Sequence, residues 1–217
     1  MDRVEESRMI LVGQYDSPYV RRVAATLHHY GTPFERNAIS VFSDAGDMAR
    51  INPLVRIPSL ILDDGEVLID SAAIIDHLDE KAGPDRALTP RAGRDRRLVL
   101  QLVALATGAI DKAGAVVYER HFHAPAAVNE EWAARCEGQL KGALAALEGR
   151  LTGDWLALSR FTQADLTAAA MLFYLDLRLP HIDCARAYPA LARLSARCEE
   201  MPIFKKTRPA PDEAMPQ

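Results

Sequence analysis

Every strand signal in this chain lies before the Gly83-Pro84 dipeptide, and the rest of the chain reads as helix alone. That asymmetry demands two units, one built on a sheet and one on helices packed against helices. Residues 9–13 form a short apolar run, read as a buried strand. Asp16, Ser17 and Pro18 then supply a capping residue followed by proline at the first helical position. Val20, Val23, Ala24, Leu27 and Tyr30 continue at helical spacing, and Gly31 with Pro33 ends the helix. Residues 34–39 read as a second strand and 44–51 as a short helix before Asn52-Pro53. Residues 58–62 and 66–69 read as strands joined by an Asp64-Gly65 hairpin turn, and Ser71 is read as the cap of a helix carrying Ile74, Ile75 and Leu78. The result is a small α/β sandwich with a mixed sheet over residues 1–84.

Residues 91–118, 126–151, 163–179 and 187–200 read as Ala- and Leu-rich helices of a second unit, 85–217, with the segment from Pro202 onward trailing over the surface. Thr162-Gln-Ala-Asp165 is a capping-box variant with Asp in place of Glu. Charge divides at the same place: residues 1–84 hold 8 basic and 14 acidic side chains, residues 85–217 hold 18 and 16. The net charge of -4 argues against nucleic acid as a main partner. Three widely spaced cysteines form neither a disulfide framework nor a zinc pattern. The acidic start is no secretory signal, and the reading finds no apolar run near the ~18 residues of a membrane span, so a cytoplasmic protein is expected.

Ser17-Pro18-Tyr19-Val20 sits between the first strand and the first helix, where dithiol oxidoreductases of thioredoxin-like order carry two cysteines. With no cysteine in this unit, thiol–disulfide exchange on its own sulfur is excluded. What remains is a hydroxyl at a helix N-terminus, a place that favours an anion. A thiolate is such an anion, and serine would donate to it; alternatively Ser17 only caps the helix. Pro58, after Arg56-Ile57, is either an edge-strand proline or a cis-proline that presents the preceding backbone to a ligand. Asp70-Ser71 before an apolar helix is either a plain helix start or a pair that matches a carboxylate and an ammonium group.

Taken together, these motifs resemble the glutathione-transferase family over nearly the whole chain. Ser-Pro-Tyr-x-x-Arg-Val at Ser17 to Val23 is similar to the serine-type members, Asn52-Pro53 with Arg56-Ile57-Pro58 to the family's loop into its cis-proline, and Asp70-Ser71-Ala72-Ala73-Ile74 to its Glu-Ser-x-x-Ile signature. The resemblance implies an N-terminal thioredoxin-like domain followed by an all-helical domain. It implies glutathione as co-substrate and no metal. Ser17 would activate the thiol, Ile57 and Pro58 would bind the cysteinyl backbone, Asp70 and Ser71 would hold the γ-glutamyl end, and Arg56 would assist with carboxylates. Tyr19 and Thr107 are candidates for a pocket taking a small hydrophobic electrophile, between the glutathione site and the helix over 91–118. A homodimer is implied, with Arg86, Arg91, Arg94, Arg96 and Arg97 either a solvated face or a subunit contact. Asp70 departs from the family's usual Glu by one methylene. Tyr15 is a second candidate activator. A glutathione-dependent isomerase or dehalogenase, and a non-catalytic ligand-binding or protein-docking module, stand as alternatives. His121 and His123, two apart, do not share a helix face and are read as a solvated helix end.

Overall fold

The computed structural model describes residues 9–211 and 213 and divides into two compact units. The first comprises the chain through Ala87 together with the segment from Met201; the second runs from Leu88 to Glu200.

In the first unit, β1 (Ile10–Val12) is followed by α1 (Pro18–Tyr30), β2 (Glu35–Asn37), α2 (Ala45–Ile51), β3 (Ser59–Ile61), β4 (Val67–Ile69) and α3 (Ser71–Ala82). The sheet order is β2-β1-β3-β4, with β1 parallel to β2 and the other pairs antiparallel. The strands are shorter than the apolar runs suggested. β2 is exposed throughout, as a charged edge strand that discourages further pairing. Helix α1 starts where expected: Ser17 is extended, its Oγ accepts the Val20 N–H at 3.4 Å, and Pro18 needs no hydrogen-bond partner for its nitrogen. It ends at Gly31, with φ 67°, where Gly31 and Thr32 N–H groups return to the His28 and Leu27 carbonyls. Helices α1 and α3 pack on each other and on the sheet.

The C-terminal segment differs from the sequence expectation. α9 (Pro202–Lys205) packs on α1. Phe204 and Thr207 are fully buried, and Arg21 Nε donates to the Thr207 carbonyl at 3.2 Å. The polar side of α1 is thus covered, and both Arg21 and Arg22 are buried. An amphipathic stripe cannot reveal this, because the covering residues arrive from the other end of the chain.

The second unit contains α4 (Gly93–Phe122), α5 (Glu130–Glu148), α6 (Gln163–Arg178), α7 (Cys184–Ala187) and α8 (Pro189–Glu199). α6 is buried along nearly all its length and packs on α4 and α8. Its start is the anticipated capping box. Asp165 accepts from the Thr162 N–H and hydroxyl, both at 2.8 Å, and its other oxygen takes the Leu156 N–H at 2.7 Å. Burial still pushes this carboxyl above its ordinary range. The expected last helix is α8, with the short α7 preceding it and Tyr188 between them, and all three cysteines are buried and form no disulfide among the described residues. One expectation from the sequence needs correction: α4 does hold an 18-residue window of mean hydropathy 1.4, long and apolar enough for a membrane span by composition. Val99, Leu102, Ala106, Ile110 and Ala113 are buried, and α4 packs on α5 and α6, as a core helix does.

Candidate functional site

Strand register brings the predicted site together. Val12 is paired with Ser59, and Ser59 with Ile69. The next residue outward on each strand is therefore Gly13, Pro58 and Asp70, all at one end of the sheet. From Gly13 the chain turns into Ser17 and α1; Ile57 precedes Pro58; Ser71 begins α3. The Ile57-Pro58 peptide bond is cis, the second of the two geometries the sequence left open for Pro58.

Ser17 is half-buried at the start of α1. Its Oγ is occupied as an acceptor by the Val20 N–H, while no acceptor for its own hydrogen occurs among the described residues. It stands ready as a donor at the positive end of a helix. Tyr19 is half-buried in the first turn of the same helix. Tyr15 is 5% exposed with the Arg36 guanidinium 3.6 Å above its ring. Burial raises its phenol pKa more than Arg36 lowers it, so the hydroxyl keeps its hydrogen at neutral pH.

The α3 start corrects the capping assignment. Asp70, not Ser71, is the N-cap: its Oδ1 accepts the Ala72 N–H at 2.8 Å, and its φ is 70°. The short side chain folds back onto its own helix, which a longer Glu would not need to do. Asp70 remains exposed, and its second oxygen has no hydrogen-bond partner among the described residues; Ser71 is the first helical residue, 4% exposed. The Ser71 and Ala73 N–H groups belong to the first turn, whose donors have no intrahelical acceptor. Arg56 is exposed, and its guanidinium has no protein partner among the described residues. Thr107 lies in the second unit, half-buried, with Oγ1 donating to the Val103 carbonyl at 3.0 Å. Also in that unit, Leu98, Leu102, Leu105, Gln101 and Arg150 line a cavity of ≈ 400 Å³.

The family model described as "Glutathione S-transferase, N-terminal domain" matches residues 11–86, and "Glutathione S-transferase, C-terminal domain" matches 130–197. The chain belongs to the glutathione S-transferase family. It is 30% identical to an uncharacterized GST-like protein, YibF, of Escherichia coli, over 93% of this chain and 98% of that one. It is 27% identical to a maleylacetoacetate isomerase of Pseudomonas aeruginosa, covering 93% and 96%. A glutathione S-transferase of Methylobacterium radiotolerans, solved in complex with glutathione sulfonate, superposes with TM-score 0.88 at 32% identity, covering 93% and 95%.

Three residues that position this transferase-family site were not singled out for it by sequence reading. Gly13, with φ 131°, lets Ile57 and Val20 approach so closely that an added Cβ would lie 2.6 Å from Val20 Cγ2 and 2.9 Å from Ile57 Cβ. Asn52, 1% exposed, braces the loop before Ile57 by donating from Nδ2 to the Arg56 carbonyl at 2.8 Å and accepting the Leu54 N–H at 3.0 Å. Arg22, 2% exposed, donates from Nη1 to Ser71 Oγ at 3.3 Å. Gly13 closes an apolar run, and Arg22 and Asn52 fall within the Ser-Pro-Tyr-x-x-Arg-Val and Asn52-Pro53 motifs, but what the latter two touch is set by contacts the motifs do not spell out.

Proposed function

We propose that this protein binds glutathione at the sheet end of its first unit and transfers the thiolate to a small hydrophobic electrophile. The observation that carries this is the meeting of two helix starts, each with a serine hydroxyl whose hydrogen has no acceptor among the described residues, on either side of the Ile57-Pro58 backbone. A thiol needs a donor and a positive field; a γ-glutamyl end needs donors for its carboxylate and an acid for its ammonium group. Ser17 serves the first, Ser71 and Asp70 the second, and Ile57 holds the backbone between them. A free thiol has pKa ~8.5, so about 3% is thiolate at neutral pH; lowering it by about two units raises that fraction to roughly three quarters. The thiolate forms its bond to the electrophilic carbon as the leaving group or π-electron pair departs, with the thiol proton already released to solvent. A homodimer is part of the proposal, read by sedimentation of the purified chain.

The experiment is calorimetric titration with glutathione, together with the thiolate ultraviolet difference spectrum of the bound tripeptide from about pH 5 to pH 9. Thiolate is expected well below pH ~8.5 in the wild type and close to it in Ser17→Ala, with turnover about 10- to 1000-fold lower in the variant. Equal spectra for the two proteins would remove Ser17 from the role.

A second reading is favoured by the maleylacetoacetate isomerase relative. The same thiolate adds to an activated double bond, the bond rotates, and expulsion regenerates glutathione. The Ser-Ser-Cys start of the isomerase branch is absent here, where Asp16-Ser17-Pro18 stands. Consumption of glutathione in step with product marks the transferase; unchanged glutathione marks the isomerase.

A further inference from the structure

Arg22 is a buried cation to which glutathione binding as described assigns no contact with the tripeptide. It is 2% exposed on α1, and no ion pair to it occurs among the described residues. Its Nε is buried and has no acceptor among the described residues. Its neighbouring acids are engaged elsewhere: Asp79 accepts from the Tyr30 hydroxyl, and Asp70 from the Ala72 N–H. Burial lowers the Arg22 pKa to about 10, against the pull of Tyr19, Asp70 and Asp79, so the charge persists at neutral pH. A full charge is thus kept in a poorly solvating place, where Nη1 donates to Ser71 Oγ at 3.3 Å.

That bond has a directional consequence. Arginine only donates, so Ser71 Oγ must accept from it. The hydroxyl hydrogen then turns away from Arg22, and it finds no acceptor among the described residues. With one lone pair taken by Arg22, the hydroxyl has its hydrogen free to donate to a ligand. We propose that Arg22 is a positioning residue: through Nη1 it holds the Ser71 hydroxyl as a donor and so selects a carboxylate at the start of α3. The inference rests on the glutathione reading, in which that carboxylate is the α-carboxylate of the γ-glutamyl residue.

The test compares glutathione with γ-aminobutyryl-cysteinyl-glycine, which differs only in lacking that carboxylate, by calorimetry on the full chain. The wild type should bind glutathione about tenfold or more tighter than the analogue, the span of a charge-assisted hydrogen bond. Arg22→Lys should weaken glutathione by about tenfold while leaving the analogue's Kd unchanged, and should add nothing further in a Ser71→Ala background. A merely structural tie between α1 and α3 would weaken both peptides alike. Parallel losses, additive losses in the double variant, or no loss at all overturn the assignment.

Should Arg22→Lys fail to fold, the wild-type protein labelled with ¹⁵N-arginine answers instead. The Arg22 side-chain resonances should move on saturation with glutathione and stay in place with the analogue; equal movement overturns the proposal. Wild-type protein that binds neither peptide would bring down the glutathione reading itself. Wild-type protein that binds both equally would leave that reading standing and reject the role of Arg22.

Discussion

Replacing Gly13 by alanine perturbs the site and the fold through the same atom. The new Cβ would sit 2.6 Å from Val20 Cγ2, 2.9 Å from Ile57 Cβ and 3.1 Å from Ile57 Cγ2. Val20 is fully buried and has no room to retreat. Overpacking of this kind costs about 1–3 kcal/mol. The backbone adds about 1–3 kcal/mol more, because φ at 131° is a conformation that a residue with a side chain rarely adopts. The expected loss is therefore about 2–6 kcal/mol, against a total stability of about 5–15 kcal/mol for a globular protein. Urea unfolding of the two proteins reads it directly. In Gly13→Ala/Val20→Ala the worst contact is gone but the φ penalty remains. The double variant should then be about 1 kcal/mol or more less destabilised than the sum of the singles. Glutathione affinity should fall with Gly13→Ala, since Ile57 is one of the two groups displaced. A Gly13→Ala protein within about 0.5 kcal/mol of wild type would refute the reasoning, because neither the clash nor the φ could then be real.

Three further substitutions separate stability from binding. Asp165→Ala strips the acceptor from the buried Leu156 and Thr162 N–H groups and should cost about 2–5 kcal/mol in urea unfolding, with a loss below about 1 kcal/mol counting against the capping-box account. Asp70→Asn keeps the acceptor for the Ala72 N–H and suits a positive φ, so stability should stay within about 0.5 kcal/mol while glutathione Kd rises about tenfold; an unaltered Kd would place the ammonium group elsewhere. Burial raises the Glu137 pKa, but hydrogen bonds from His181 at 2.9 Å and Lys141 at 3.3 Å outweigh it and leave the carboxyl below its ordinary value. Its contribution is therefore present above pH 4.5 and lost as pH falls through the lower folded-state value. Glu137→Gln should cost less than about 1 kcal/mol at neutral pH and nothing in strong acid; a gap that persisted in acid would contradict the sign.

Much of this molecule was legible because its signals are local. Ser17-Pro18 and Gly31 mark the ends of α1 through the backbone conformations they allow, and Thr162 to Asp165 marks α6 through a reciprocal hydrogen bond that spans four residues. The order of strands and helices before Gly83 and the absence of strand signals after it come from hydrophobic period alone. That order placed Ser17, Pro58, Asp70 and Ser71 at or beside element ends, and the resemblance to the glutathione-transferase family gave those residues, with Ile57, their expected roles. The strand lengths, the exchange of Asp70 for Ser71 as the cap and the short helix α7 before Tyr188 were less legible, since several residues at each boundary satisfy the same local rules.

The sequence alone determined the order of the elements and several of their ends, and through its family resemblance it marked the hydroxyls, the cis-proline candidate and the acid that a thiol tripeptide would need. Only the tertiary structure decided how those ends meet and what stands behind them. The register of Val12, Ser59 and Ile69 aligns three chain segments at one sheet end. The segment from Met201 returns to bury Arg21. The Arg22 guanidinium reaches Ser71 across 49 residues of sequence. Each of these depends on contacts between parts of the chain that carry no local mark of one another. Caps and periodicity are written in neighbouring residues, whereas the direction of a buried charge is set by packing.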